Sequence, residues 1–394
     1  MWTLFKIVNF IWLLTSTYAW FTTSFPLTPM ILGVDIVMII CMSFLPIEVS
    51  IRKPTGRVVI AMIALALWSI WIDGYGSGIY TFLTYFPVLI LIQLPTDYLK
   101  DLLYSVTKWY AIMLGLSLII YFITLVIPLP SFGRYVHPTY VPFDNYLFYI
   151  KTTWDNEIFT RFNAFFLEPG HQALVSTFLL LANSFQFKKN VYCYILLLGV
   201  IFSFSLAGYM LLGIGWILLT IKDIKRSILV LAVFSGLYVI TINLGNTAVN
   251  ELIINRLEYD EEKGIKGNNR FTEGTDFLYE KSIKKGLSLR GMKGYTDTEN
   301  IAGAGFKIYV IRLGWIGVIL AALFYLSVIP PRCNTRYTVI YLIVLALCFT
   351  QRSYPGWYSW LLPYVLGIYI NRKSDIDEQI DRHSDINLIE SDIE

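Results

Sequence analysis

The chain is predicted to be an all-α polytopic membrane protein with about 12 transmembrane helices and two large extracytoplasmic loops. Composition is the first reason. Hydrophobic residues make up 56% of the 394 residues and charged residues 15%, against about 45–50% and about 25% in soluble domains. Mean hydropathy is +0.59. The second reason is patterning, because charge collects in short stretches between long apolar runs. The net charge of +3 makes no case for nucleic acid as a partner.

A spanning helix needs about 20 mostly apolar residues. Twelve stretches qualify: 4–21, 28–48, 57–73, 77–95, 105–127, 169–187, 190–205, 207–222, 226–245, 304–329, 336–350 and 356–371. The first has one basic residue and no small-residue cleavage site, so it reads as a span and not a removable signal. The run from Val191 to Ile221 is too long for one span and short for two. The small residues at Ser205-Leu206-Ala207-Gly208 mark where it turns.

Basic residues test the count. With a cytoplasmic N-terminus, the inside loops hold Arg52, Lys53 and Arg57, then Lys100 and Lys108, then Lys188 and Lys189. Lys222, Lys225 and Arg226 follow, then Arg332 and Arg336, and finally Arg372 and Lys373. The short outside loops contain only Arg352, which satisfies the positive-inside rule and puts both termini inside. Two long loops, about 128–168 and 246–303, fall outside. Residues 1–373 form one membrane domain, and 374–394 an acidic, disordered cytoplasmic tail. Cys41, Cys193, Cys333 and Cys348 lack metal or disulfide spacing and read as core residues.

Arg161, Glu168 and His171 stand within eleven residues at the expected lip of the bilayer. Pro169 suits the first turn of a helix, leaving Glu168 just outside its start and His171 in its first turn. Two interpretations fit. Either Glu168 caps the helix and Arg161 neutralises it, or the group meets a lipid-linked phosphate at a helix N-terminus. His171 is either a proton carrier or a polar residue facing another helix. In the second loop, Phe271, Leu278, Ile283 and Leu287 recur on a helical period with Lys281, Lys284 and Lys285 between them. This pattern predicts an amphipathic helix on the membrane surface. Arg270 flanks it, and Arg290-Gly291-Met292-Lys293-Gly294 makes a basic, glycine-punctuated turn; both arginines offer a bidentate fork to a diphosphate. Lys307 either snorkels or contacts a partner. Arg312, in the tenth span, is either a phosphate ligand or half of a salt bridge, with Asp35 a candidate partner. The short outer loop Arg352-Ser353-Tyr354-Pro355-Gly356-Trp357-Tyr358 is rich in aromatics, which suit sugar stacking or, more commonly, an interfacial belt. The chain has no HExxH, Walker or dinucleotide motif, so no metal or cofactor is expected.

The segment Arg161-Phe-Asn-Ala-Phe-Phe-Leu-Glu168-Pro169-Gly170-His171 resembles the RxxGxFxEP-type signature of O-antigen polymerases, members of the O-antigen ligase/polymerase superfamily. Ser203-Phe-Ser205-Leu-Ala-Gly208-Tyr209 is similar to that family's serine-rich turn. Gly303-Ala-Gly305 and Leu313-Gly314-Trp315-Ile316-Gly317 are similar to its glycine-rich start of the helix after the second loop. Ala164 stands where the signature usually has glycine, and Arg270 lacks the usual downstream glycine spacing.

The resemblance implies a metal-independent membrane glycosyltransferase of the C-type superfamily. It would join oligosaccharide repeats carried on undecaprenyl diphosphate into lipopolysaccharide or exopolysaccharide, on the outer face of a bacterial inner membrane. It maps Arg161 and Glu168 onto the first-loop arginine and carboxylate, and Arg270 onto the second-loop arginine. The residues then take these expected roles: Glu168 or His171 as general base, with Arg161 beside them, and Arg161, Arg270, Arg290 and Arg312 on the diphosphate. Membrane lipids and a chain-length regulator are candidate partners. The alternatives are an O-antigen ligase and a flippase or other transporter, which would be expected to carry mid-membrane charge on broken or repeated helices.

Overall fold

A computed structural model describes residues 1–46, 54–137, 142–152, 161–221, 228, 259–260, 264–265, 273–292, 305–352 and 354–371. Apart from residue 228, the expected ninth span lies outside these residues, as do Arg270, Phe271 and the 374–394 tail. Among the described residues, helices dominate: α1 (Trp2–Thr15), α2 (Leu27–Phe44), α3 (Pro54–Asp73), α4 (Tyr75–Leu91), α5 (Thr96–Val126), α6 (Pro169–Ala182), α7 (Tyr192–Phe202), α8 (Leu206–Thr220), α9 (Glu273–Lys284), α10 (Phe306–Val328), α11 (Thr335–Gln351) and α12 (Tyr358–Ile370). Four of these, α2, α3, α5 and α10, are long and apolar enough to cross a membrane. Ile36, Ile39, Ile60 and Leu67 point out of the bundle from α2 and α3, a surface that suits lipid and not water.

The other apolar helices are shorter. At 1.5 Å per residue, the 11 residues of α7 extend about 17 Å, well under the ~30 Å hydrocarbon core. The break between α7 and α8 falls at the small residues, where Ser205 Oγ accepts the Gly208 amide at 3.3 Å and caps α8. Helix α5 begins nine residues before the apolar run that predicted it. Its charged first turns are held by α1, since Asp101 accepts from Trp2 Nε1 at 2.5 Å and Lys6 Nζ at 3.0 Å.

Helix α6 sits at the centre, buried from Gly170 to Ala182, against α7, α8 and α12. Its C-terminal carbonyls, which a helix end leaves unpaired, are served by neighbours. Tyr337 Oη donates to Leu181 O at 2.6 Å and Asn183 Nδ2 to Leu179 O at 2.8 Å. Helices α1 to α4 and α10 pack together alongside.

The described loop segments are not wholly helical. Strands β1 (Gly133–Tyr135), β2 (Phe143–Asn145) and β3 (Ile150–Thr152) form an antiparallel sheet in the first loop, and β4 (Tyr259–Asp260) pairs with β5 (Gly264–Ile265) in the second. Phe143, Ile150 and Leu167 give the larger sheet its own small core. That sheet is pinned to the bundle. Ile150 N donates to Ala164 O at 2.9 Å, and Trp20 N, just past α1, donates to Phe165 O at 3.0 Å.

Candidate functional site

Glu168 precedes α6 in an extended conformation, with Pro169 in the first helical turn as expected. Its side chain does not cap the helix. It forms an ion pair with Arg352, at the end of α11, whose side chain is only 4% exposed. The sequence offers no local sign of this pairing. His171 lies one turn into α6, with Nε2 3.8 Å from Glu168 Oε2. Its ring lies over Tyr18 at 6.1 Å and edge-on to Trp357 at 5.0 Å, so it is buried between aromatics.

The same two aromatics line a cavity of about 300 Å³. It opens where α1 and α3 finish and α2, α4 and α12 begin, beside the first two turns of α10. Its polar wall includes Arg312, Asp73, Ser69, Ser77 and Thr81. Arg312 Nη2 lies 3.3 Å from Asp73 Oδ2. Asp73 is therefore the carboxylate of this pair. Asp35 is buried elsewhere, on α2, with neither oxygen hydrogen-bonded among the described residues.

The arginine stands next to a break in its helix. Gly314 has φ +67° and ψ 178°, which interrupts α10. The carbonyls and amides freed there find partners in a turn from the second loop. Met292 N donates to Ile311 O at 2.8 Å, Trp315 N to Ser288 O at 2.9 Å and Ile316 N to Leu289 O at 3.2 Å. Trp68 Nε1 donates to Leu313 O at 2.7 Å. Contact is so close that a Cβ on Gly314 would meet Leu289 O at 2.3 Å, and one on Gly291 would meet Arg312 O at 2.3 Å. Irregular backbone in a membrane helix requires replacement partners of this kind.

A second cavity, about 320 Å³ and almost wholly apolar, runs between α10 and α11. Ala321, Ala322 and Ala346 leave it open. Pro355 borders both cavities, and its carbonyl accepts Tyr325 Oη at 2.5 Å.

The remaining expected residues are placed as follows. Arg161 donates to the carbonyls of Ser203 and Phe204, at 3.4 and 3.2 Å, tying the first loop to the turn between α7 and α8; it does not line either cavity. Arg290 is exposed on the turn that fills the α10 break. Lys307 pairs with Asp276 of α9 at 2.6 Å and lies over Tyr279. Helix α9 forms where the pattern put it, but its buried residues are Thr275, Leu278 and Ser282, while Ile283 is exposed. Apolar periodicity misplaced that face because two small polar residues, not isoleucine, allow the close approach.

Asp73 was missed because it ends an apolar helix, where a carboxylate looks like a boundary marker. The spacing of 239 residues to Arg312 offers no local signal. No known protein family, characterised protein or solved structure matches this chain.

Proposed function

We propose that this chain is a polytopic membrane glycosyltransferase with twelve spans and cytoplasmic termini. In this reading it joins undecaprenyl-diphosphate-linked repeats into a surface polysaccharide at the outer face of a bacterial inner membrane. The observation that carries the proposal is the meeting of a polar cavity and an apolar groove at Pro355. Such a junction suits a substrate that is half sugar and half lipid. Ala164 adds support. Its φ of +51° is left-handed backbone, which explains why a glycine would be favoured at that place in the signature.

In the proposed reaction, a hydroxyl of the acceptor glycan attacks the anomeric carbon of the donor. The new C–O bond forms as the bond to the diphosphate breaks, and the electron pair leaves with the lipid diphosphate. Glu168 or His171 receives the hydroxyl proton. Arg161, Arg270 and Arg290, with the amides opening α6, stabilise the departing charge. Arg312 is held by Asp73 and is better suited to the sugar than to the diphosphate.

Glu168→Gln should collapse the polysaccharide ladder on gels toward single repeats while the protein still accumulates in the membrane. An unaltered ladder overturns the role of Glu168. A second reading, transport of a lipid-linked glycan, is favoured by the break in α10 beside a charged pair. Gene deletion separates the classes. A missing polymerase leaves single repeats on the lipid core, a missing ligase leaves none, and a missing flippase strands repeats on the cytoplasmic face.

A further inference from the structure

The polar cavity borders a carboxylate that the fold leaves incompletely served. Asp73 gives one oxygen to Arg312; its side chain is 11% exposed, and Oδ1 is buried with no hydrogen-bond partner among the described residues. An orphaned buried acceptor is costly, so Oδ1 calls for a donor, either a water molecule or an occupant of the adjoining cavity. The pair is also internally neutral, which removes the attraction for phosphate that a lone arginine would exert. What remains in one wall is a set of donors from Arg312, an acceptor on Asp73, and the hydroxyls of Ser69 and Thr81, themselves 3.1 Å apart. Another part of the lining is flat and aromatic, where Tyr354 and Trp357 stack with centroids 5.1 Å apart and planes 8° apart.

Hydroxyls that both donate and accept, together with a C–H face that lies against an aromatic ring, describe a sugar. We infer that this cavity binds one neutral sugar residue, with Asp73 and Arg312 on its hydroxyls and the Tyr354–Trp357 pair against its ring. The volume of about 300 Å³ lies at the small end of ligand pockets and matches a single sugar residue. Trp357 also packs on His171, so a sugar held here lies beside the Glu168–Arg352 pair. The inference rests on the glycan reading above and deepens it by separating the sugar site from the diphosphate site.

The test uses the purified full-length protein in nanodiscs, titrated with free hexoses, N-acetylhexosamines and deoxyhexoses at millimolar concentration. Tryptophan fluorescence and thermal unfolding are the readouts. At least one sugar should give a saturable response, and inorganic pyrophosphate should not displace it. Asp73→Asn should weaken the response by about tenfold, the scale of one well-made polar contact. Tyr354→Ala, at a partly exposed loop position, should weaken it in a protein that folds whatever Asp73→Asn does. Silence toward all three sugar classes, a response unchanged in Tyr354→Ala, or displacement by pyrophosphate overturns the inference. Free sugars carry no lipid and undergo no transfer. Sugar binding combined with repeats stranded on the cytoplasmic face after gene deletion would thus sink the transferase reading alone, and sugar silence with single repeats left on the lipid core would sink this one alone.

Discussion

Ala164 occupies backbone space in which a side chain is disfavoured. At φ +51° its Cβ costs roughly 1–2 kcal/mol relative to an ordinary conformation, offset in part by the smaller chain entropy that alanine loses. Ala164→Gly should leave thermal stability unchanged or raise it slightly. Ala164→Val should lower it by about 2 kcal/mol or more, because a branched residue is both strained and overpacked at this buried site. The pair formed by Glu168 and Arg352 is the other residue-scale feature with a measurable cost. Arg352→Met removes the counter-charge from a carboxylate whose side chain is 28% exposed. It should cost on the order of 3 kcal/mol, most of it recovered in the Glu168→Gln/Arg352→Met double variant. Calorimetry on the four proteins measures this. Glu168 and His171 were legible because a proline and an ionisable pair interrupt an apolar run. Their surroundings were not, since the arginine on Glu168 lies 184 residues away.

At the scale of the element, helix ends and helix breaks differ in how plainly they are written. The turn between α7 and α8 was legible from its serines and glycine, because a serine cap has a fixed offset to the amide it accepts. Ser205→Ala should lower stability by about 1 kcal/mol, read as a lower unfolding midpoint. The interruption of α10 was hidden. Leu313-Gly314-Trp315 sits in a continuous apolar run, and glycine there reads as a tolerated helix residue. What stops the helix is the inserted turn, which no local pattern announces. Gly314→Ala puts a side chain at positive φ against Leu289 O. The turn over residues 286–292 should then become sensitive to limited proteolysis, whereas in the native chain it should resist.

For the whole molecule, the apolar groove gives the most direct prediction. Ala322→Phe or Ala346→Phe should fill the space between α10 and α11 and, on the proposed function, shorten the polysaccharide ladder. Binding of free sugars should stay unchanged, because neither alanine lines the polar cavity. Helical architecture was legible throughout, since each expected apolar run on described residues forms a helix. The lengths were not, because hydropathy counts residues and does not see turns, caps or the sheet over the first loop. Packing partners were invisible for the same reason: α6 becomes the centre through contacts with α7, α8 and α12, which follow it by anything from ten to nearly two hundred residues.

The interlocked glycines at positions 291 and 314 have a mechanical consequence. The turn supplies hydrogen bonds that the severed helix needs, so neither can retreat alone without leaving main-chain groups unpaired. The position of the half-helix carrying Arg312, and with it one wall of the polar cavity, is therefore tied to the turn over residues 286–292.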